Sequence, residues 1–300
     1  MKVIICDSVS ADCLKMLDDA GVPYDVKTDM TPDQLKATIP GYDAMVVRSA
    51  TKVTADVIDA ATDLKLIVRG GVGVDNIDVE AAKAKGVAVK NTPNANSASV
   101  AELAVGFMLA LARPIVRGTV GLRAGKWEKK ELKGTEVAGK TLGLFGVGRI
   151  GKLTADKAAA LGMKVVAYDK YVDPATVPGI TMVDFDGLLA KSDYISLHTP
   201  ATAETKGAFN KDAFAKMKDG VRIVNCARGG IIDEEALYEA VKSGKVAGAA
   251  LDVFDVEPVG KSKLFELDNV IATPHIGAAT KEAQDRVGGE VANILIEGAG

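Results

Sequence analysis

Short apolar runs alternate with amphipathic stretches through the N-terminal part of the chain. The apolar runs are typical of strands buried on both faces of a sheet: Val3–Cys6, Ala44–Val47, Leu66–Val68 and Val87–Val89. Between them, apolar residues recur at helical spacing: Ser10–Ala20, Thr31–Thr38 and Thr54–Ala60. This alternation predicts a parallel sheet with helices on both faces.

The same pattern restarts in the second half of the chain. Six further runs predict the strands of a second sheet: Thr141–Phe145, Lys164–Tyr168, Tyr194–Leu197, Arg222–Val224, Ala247–Leu251 and Val270–Ala272. Before them, turn-rich residues 91–97 lead into a long apolar helix, Ala98–Ala112, which we interpret as a core or subunit-interface helix.

Residues 273–277 interrupt the second pattern, and one last amphipathic helix follows. If this helix returns to the first sheet, the chain crosses twice between two domains. We therefore predict one domain from residues 1–94 with 278–300 and another from residues 95–277, with a hinged cleft between them.

Composition narrows the class of protein. The 37 Lys and Arg residues and 40 Asp and Glu residues give a net charge of -3, with both signs interspersed, which argues against nucleic acid as the main partner. Cys6, Cys13 and Cys226 show neither metal-ligand spacing nor a disulfide framework, so we expect no metal site and a reducing compartment. The N-terminus lacks a signal-peptide pattern, and the longest apolar run, Leu103–Ala112, is too short for a bilayer. We expect a cytoplasmic protein that does not bind membranes.

A glycine motif follows the predicted strand Thr141–Phe145. Gly146 permits a tight turn, Gly148 lets a pyrophosphate approach the backbone, and Gly151 lets the next helix pack closely. Asp169 stands at the end of the following strand, 18 residues after Gly151. A carboxylate there accepts from the ribose hydroxyls of NAD and repels the extra phosphate of NADP. The motif predicts an NAD site; an ordinary glycine-rich turn beside a solvated acid is the alternative.

The chain offers two histidines for proton transfer. His198 stands at a strand end near the expected adenine side, whereas His275 stands at a predicted crossing between domains. A general acid/base must face the cleft, so we prefer His275. A nearby carboxylate would charge and orient its ring. Glu257 is our candidate, with Asp252 and Asp255 as rivals that spacing alone does not separate.

An arginine stands where the apolar strand Arg222–Val224 ends. At the carboxyl end of a parallel strand, Arg228 would point into the crevice where ligands bind. Its planar guanidinium matches a carboxylate, so Arg228 is predicted to hold the substrate carboxylate and polarise the C2 oxygen. Gly229 and Gly230 are predicted to keep the approach clear. A structural ion pair is the alternative for Arg228.

Four segments resemble the D-2-hydroxyacid dehydrogenase family: Val147–Gly151, Asn225–Gly230, Ala250–Phe254 with Glu257, and Pro274–Ala278. The resemblance extends over nearly the whole chain. It implies an α/β fold of two doubly wound parallel-sheet domains, in which a Rossmann nucleotide-binding domain is inserted into a flavodoxin-like substrate-binding domain. It also implies NAD as the cofactor and a small 2-hydroxy acid as the substrate.

The resemblance implies roles for the residues at matching positions. The catalytic set would be Arg228, Glu257 and His275. Beside Gly146, Gly148 and Gly151, the NAD site would be lined by Arg149, Ile150, Asp169, Thr199, Cys226, Ala227, Asp252, Gly277 and Ala278. The substrate would contact Arg48, Asn96 and the backbone of Gly70, Gly71 and Val72.

Further segments resemble the branch of this family that oxidises 3-phosphoglycerate to 3-phosphohydroxypyruvate, the first step of serine biosynthesis: Val47–Thr54, Gly73–Asp78, Asn91–Asn94 and Gly125–Glu128. Arg48 would then lie near the phosphate end of the substrate. The branch implies a homodimer or homotetramer paired through the nucleotide-binding domains, with Lys129 as a candidate to reach the neighbouring site. A reductase for glyoxylate, hydroxypyruvate or another 2-keto acid is the first alternative. A non-enzymatic NAD-sensing binding protein is the second.

Three features depart from the family pattern. Val72 stands where relatives often have a hydroxyl residue, so a side-chain contact to the cofactor is lost there. Lys129 stands where some relatives have arginine, which weakens any bidentate contact to phosphate. Many relatives also continue into a C-terminal regulatory domain, and these 300 residues contain no candidate for it. A short form of the enzyme and a shortened chain are the two explanations.

Overall fold

The structure is a computed structural model that describes residues 1–299. The chain divides into two units: Met1–Ser97 together with the segment that begins at Ala278, and Ala98–Gly277. The first boundary falls after Ser97 rather than after residue 94. Ala95 is buried in the core of the first unit, and its carbonyl oxygen accepts a hydrogen bond from Nε of Arg286 at 2.8 Å. Residues 95–97 are therefore held by the first unit.

The first unit contains a five-stranded parallel sheet in the order β2-β1-β3-β4-β5. Its strands are β1 (Val3–Ile5), β2 (Tyr24–Val26), β3 (Ala44–Val47), β4 (Leu66–Arg69) and β5 (Ala88–Asn91). Its first four helices are α1 (Ala11–Asp19), α2 (Pro32–Thr38), α3 (Ala55–Ala60) and α4 (Val79–Ala84). The sequence pattern did not predict β2, because this edge strand is only half-buried and carries a polar residue at its centre.

Side chains of the first sheet alternate between two apolar cores. Val3, Val46 and Val68 face one core, and Ile4 and Met45 face the other. Burial on both faces explains why these strands read as continuous apolar runs rather than as alternating ones.

The second unit contains a seven-stranded parallel sheet in the order β12-β11-β10-β9-β6-β7-β8. Its strands are β6 (Thr141–Phe145), β7 (Lys164–Tyr168), β8 (Thr181–Met182), β9 (Tyr194–Leu197), β10 (Val221–Asn225), β11 (Val246–Leu251) and β12 (Val270–Ala272). Its helices are α5 (Ser97–Ala112), whose first residue still belongs to the first unit, α6 (Ile115–Arg123), α7 (Arg149–Ala160), α8 (Phe185–Lys191), α9 (Lys211–Lys216) and α10 (Glu234–Lys242). The strand order reverses beside β6, which lies between β7 and β9. Ligands of such sheets bind at the carboxyl ends of the strands at this switch point.

Helix α5 packs against the second sheet through Ala104 and Met108, which are buried beside Leu142 and Leu144 of β6. Among residues 1–299, no single helix is long and apolar enough to cross a membrane. Helices α5 and α6 pass the length and hydropathy criteria only as a pair, and that pair is bent by 66°.

The last helix, α11 (Lys281–Ala299), belongs to the first unit. Val291 and Leu295 are buried in the same core as Val3 and Val68. Gly288 makes the packing close, because a Cβ atom there would lie 2.0 Å from Oγ of Ser10, the residue that caps α1. The predicted architecture of two parallel-sheet α/β domains is confirmed.

Candidate active site

The three glycines after β6 each meet a different steric demand. Gly146 has a φ of +95°, and a Cβ atom there would lie 2.9 Å from the carbonyl oxygen of His198. Gly151 lies so close to Gly146 that its Cβ would be 2.5 Å from the Gly146 oxygen. Gly148 caps α7 and has open space beside it. The first and third glycines therefore shape the turn, and the second leaves the helix N-terminus accessible to an anion.

Asp169 follows β7 and holds the end of this strand to the glycine turn. One carboxylate oxygen accepts from the backbone N–H of Val147 at 2.9 Å, and the other accepts from Tyr171 and Val172 at 2.9 and 3.2 Å. A carboxylate has about four acceptor positions, so it can still accept from a ligand. Arg149 is exposed in the first turn of α7, and Ile150 is half-buried beside it.

Thr199 and Cys226 follow β9 and β10 at the same edge of the sheet. Among the residues that the structure describes, Oγ1 of Thr199 is buried without a hydrogen-bond partner. Cys226 is buried, and both desolvation and the charge of Asp252 raise the pKa of its thiol above the usual range. The thiol therefore stays neutral, and Cys226 and the half-buried Ala227 offer packing surface rather than a nucleophile.

Glu257 and His275 form a close pair. Oε2 of Glu257 lies 2.6 Å from Nδ1 of His275, and Oε1 accepts from the backbone N–H of Phe254 at 3.1 Å. His275 has a φ of +52°, which is unusual for a residue with a side chain. Its side chain remains 45% exposed, which suits a group that exchanges a proton with a ligand.

The two rival carboxylates have other partners. Asp252 is buried, and its oxygens accept from Oγ1 of Thr273 and from the backbone N–H groups of Ile276 and Gly277 at 2.6, 2.7 and 2.7 Å. It thus holds both sides of the turn that carries His275. Asp255 accepts from the backbone N–H of Gly230 at 2.6 Å. Glu257 is therefore the carboxylate that the structure brings to His275.

Arg228 lies in a loop that is fixed by Asn225 at the end of β10. The side-chain amide of Asn225 donates to the Arg228 carbonyl at 2.9 Å and accepts from the Ala227 N–H at 3.0 Å. Nη1 of Arg228 donates to the carbonyl of Ala227 at 2.7 Å, which folds the guanidinium back over its own loop.

The role predicted for Gly229 is wrong. A Cβ atom at this position would lie 1.8 Å from the carbonyl oxygen of Phe254, so the missing side chain lets two loops pack at backbone contact instead of clearing a path for a ligand. Through this contact the Arg228 loop is joined to the loop that carries Glu257.

His198 continues β9 and is part-buried. Its Nε2 lies 2.9 Å from Oγ of Ser196, and burial lowers its pKa to about 4. The ring is neutral at physiological pH, which suits a structural role.

In the first unit, the predicted substrate residues stand at neighbouring strand ends. Arg48 follows β3, and Gly70 follows β4, where a Cβ would lie 3.3 Å from Cγ of Arg48. Gly71 has a φ of +147°, and the guanidinium of Arg69 occupies the position that its Cβ would take. The carbonyl oxygen of Val72 accepts from the side chain of Asn91.

The guanidinium of Arg48 is held by neutral oxygens. Its Nη1 donates to Oε1 of Gln284 at 2.6 Å and to the carbonyl of Ser8 at 3.4 Å. Asp7 is close, but its carboxylate accepts from the backbone of Arg48 and from the N–H and hydroxyl of Thr51. Sequence reasoning missed Asp7 and Gln284, because neither stands near Arg48 in the chain.

Three other residues predicted for the site take part in none of the hydrogen bonds described above. Asn96 is buried, and its side-chain oxygen has no hydrogen-bond partner within residues 1–299. Ala278 begins the C-terminal segment of the first unit and is half-buried. Lys129 is exposed after α6.

The second unit thus combines a glycine turn at the switch point of a parallel sheet with a carboxylate–imidazole pair and an arginine on neighbouring loops. The open face at Gly148 fits a dinucleotide, as does the hydroxyl of Thr199, which has no hydrogen-bond partner in the described part of the chain. This arrangement defines a nucleotide-dependent oxidoreductase.

Comparison with known proteins gives the family. Residues 105–277 match the family model described as D-isomer specific 2-hydroxyacid dehydrogenase, NAD binding domain. A hydroxypyruvate reductase from Thermotoga maritima is 58% identical over 271 residues, which cover 89% of this chain and 88% of that protein. A D-3-phosphoglycerate dehydrogenase from Archaeoglobus fulgidus is 49% identical over 299 residues, which cover 99% of this chain and 57% of that protein. The chain thus spans little more than half the length of that second relative.

Among solved structures, the TT0316 protein from Thermus thermophilus superposes with a TM-score of 0.92 at 34% identity and covers 100% of this chain and 97% of that one. The chain belongs to the D-isomer specific 2-hydroxyacid dehydrogenases. It is an NAD-dependent oxidoreductase, and residues 105–277 match the family's NAD-binding domain.

Proposed function

We propose that this protein oxidises 3-phosphoglycerate at C2 to 3-phosphohydroxypyruvate, the first step of serine biosynthesis. The observation that carries the proposal is the charge of Arg48, whose guanidinium donates to neutral oxygens of Gln284 and Ser8. Because these two partners carry no charge, the positive charge of Arg48 remains available to an anionic ligand. Relatives named D-3-phosphoglycerate dehydrogenase, which align with 98% or 99% of the chain, support the same substrate.

The catalytic steps that we assign to this chain concern the proton and the substrate carboxylate. His275 takes the proton of the C2 hydroxyl, and Glu257 at 2.6 Å stabilises the imidazolium that results. Arg228 binds the carboxylate and polarises the C2 oxygen. NAD, when bound, supplies the hydride acceptor.

The same proposal assigns the remaining substrate contacts to the first unit. In the turn Gly70-Gly71-Val72, the N–H groups of Gly70 and Gly71 donate to the carbonyls of Val47 and Arg69 at 2.8 and 2.9 Å. The backbone N–H of Val72 is therefore the group of this turn that would bind the substrate carboxylate. The buried side-chain oxygen of Asn96, which lacks a partner among residues 1–299, would accept from a substrate hydroxyl. Arg48 would bind the phosphate.

For the cofactor, Gly146, Gly148 and Gly151 would cradle the pyrophosphate at the start of α7, and Asp169 would accept from the ribose hydroxyls. The other residues that would line the site are Arg149, Ile150, Thr199, Cys226, Ala227, Asp252, Gly277 and Ala278. Asp252 would act mainly by holding the His275 turn, because three donors already occupy its carboxylate.

A reductase for hydroxypyruvate is the second candidate. It is favoured by the 58% identity with the Thermotoga maritima hydroxypyruvate reductase. The two functions share the catalytic set and differ in whether C3 carries a phosphate.

The two candidates can be separated by measuring NADH formation from NAD with 3-phosphoglycerate and, for comparison, with D-glycerate, D-lactate and 2-hydroxyglutarate. Strong preference for 3-phosphoglycerate supports the proposal. Arg48→Gln should then raise KM for the phosphorylated acid only, whereas Lys83→Gln, which removes an exposed charge on α4, should leave KM unchanged. Activity confined to unphosphorylated acids would favour the reductase. Bound NAD without turnover would favour the NAD-sensing alternative.

We also propose that the protein is a cytoplasmic homodimer paired through the second unit. Helix α6 and the turn after it expose a band of large apolar side chains: Ile115, Val116, Val120, Leu122 and Trp127, with Trp127 81% exposed. Such a band is costly in water unless another surface covers it. Lys129 in this turn would lie near the partner's site. Light scattering should report a smaller mass for Val120→Asp than for Val79→Asp, a matched change in the first unit.

A further inference from the structure

Three exposed side chains join two loops at the carboxyl edge of the second sheet. Nζ of Lys170 lies 2.7 Å from Oε1 of Glu204, and the hydroxyl of Tyr171 donates to Oε2 of Glu204 at 2.9 Å. Lys170 and Tyr171 follow β7, and Glu204 follows β9. Because β6 lies between β7 and β9, this bridge crosses the end of the strand that leads into the glycine turn.

Both ends of the bridge are fixed by their own loops. Asp169 accepts from the N–H groups of Tyr171 and Val172, which sets the direction of the chain at Lys170. On the other loop, Oγ1 of Thr205 donates to the carbonyl of Pro200 at 2.7 Å, and the turn around it carries Glu204. Glu204 is therefore presented to Lys170 by a preformed turn.

The position of Lys170 connects this contact with the binding of the cofactor. It follows Asp169 directly, and Asp169 is the proposed partner of the ribose hydroxyls. A cation near this point is what an enzyme of this fold uses to accept the 2′-phosphate of NADP. In this chain the cation is already engaged, because Lys170 donates a hydrogen bond to the carboxylate of Glu204. This contact raises the pKa of Lys170 and lowers the pKa of Glu204.

We propose that Glu204 is a second determinant of the preference for NAD over NADP. Asp169 repels the 2′-phosphate directly, and Glu204 withholds Lys170, the cation next to Asp169 in the chain, from binding it. Glu204 acts through Lys170, so it is a positioning residue. The inference rests on the proposed role of Asp169.

Fluorescence titrations with NADH and NADPH test this inference without reference to the acid substrate. Asp169→Ala should raise the affinity for NADPH relative to NADH. Adding Glu204→Gln to that variant should raise NADPH affinity by about a further fivefold and leave NADH affinity within about twofold. The reason is that the freed Lys170 can bind the 2′-phosphate, which NADH lacks. Adding Lys170→Met should remove this gain. Asp186→Asn, which breaks the exposed pair between Asp186 and Lys216 in the same unit, is the matched control and should change neither affinity.

The outcomes separate the two assignments. If Asp169→Ala leaves the ratio of the two affinities unchanged, the role of Asp169 fails and this inference fails with it. If Asp169→Ala shifts the ratio but Glu204→Gln adds nothing, Asp169 stands and the inference about Glu204 is overturned. A gain that survives Lys170→Met would also overturn it, since the phosphate would then have found another partner.

Discussion

Gly229→Ala tests whether the Arg228 loop and the Glu257 loop must pack at backbone contact. A Cβ atom at residue 229 would lie 1.8 Å from the carbonyl oxygen of Phe254 and 2.2 Å from its carbonyl carbon. These are backbone atoms, so no rotamer change relieves the overlap. A carbon and an oxygen approach to about 3.3 Å, and the two loops must therefore separate by roughly 1.5 Å.

This separation should damage catalysis more than cofactor binding. Arg228 would move relative to Glu257 and His275, and a misplacement of about 1 Å typically costs about 100-fold in rate. We expect kcat/KM to fall by about that factor. The affinity for NADH should change far less, because the glycine turn after β6 keeps its own contacts.

Steady-state kinetics and an NADH titration on the folded variant provide the assay. Gly289→Ala is the matched control, since Gly289 lies inside α11 and, apart from its chain neighbours and the backbone of its own helix, no described atom lies within 4 Å of its Cβ position. This control should keep full activity and gain about 0.5 to 1 kcal/mol in stability from the higher helix propensity of alanine. A Gly229→Ala enzyme with kcat/KM within about twofold of the wild type would refute the reasoning, because the loops would then be free to part without cost.

Three further changes probe the same unit. Glu257→Gln should lower kcat by about 100-fold with little effect on NADH affinity, because the imidazolium of His275 loses its carboxylate; kinetics near wild-type values would remove Glu257 from the mechanism. Arg228→Ala should lose substrate affinity and turnover while NADH still binds in a fluorescence titration, and an equal loss of NADH binding would contradict its assignment to the substrate. His198→Gln should flatten part of the pH dependence of stability. Burial lowers the pKa of His198 from 6.5 to about 4, so between these two pH values the unfolded chain binds more protons than the folded one. The free energy of unfolding of the wild type should therefore fall by about 3 kcal/mol as the pH falls through this window. Urea unfolding at neutral and acidic pH should show this extra loss only in the wild type, and equal losses in both proteins would count against it.

The strands that are buried on both faces could be predicted from the sequence, because β1 and β3 are uninterrupted apolar runs and β9 departs from one only at Ser196. Strands β2 and β8 could not, because they are short, partly exposed edge strands that contain a polar residue, whereas the edge strand β12 is apolar throughout. Their residues carry too little apolar signal to distinguish them from loops.

The chemistry of the site could be predicted from the sequence only in part. The glycine motif and Asp169 are local in sequence, so their relation to a strand and a helix followed from spacing. The choice among Asp252, Asp255 and Glu257 did not, because it depends on where a distant turn places His275. The contact of Gly229 with Phe254 was misread for the same reason: sequence shows a missing side chain but not the backbone that occupies its place.

The position of α11 has a consequence for how the protein is made. One face of the first sheet receives Val291 and Leu295 from this helix, although β1 is synthesised before the second unit and α11 after it. Until α11 is synthesised, Val3, Val46 and Val68 lack the cover that Val291 and Leu295 provide on this face. The second unit is contiguous in sequence and can condense while the first waits. The first unit is therefore begun before the second and completed after it, and its uncovered apolar face is the surface that a nascent-chain chaperone would meet.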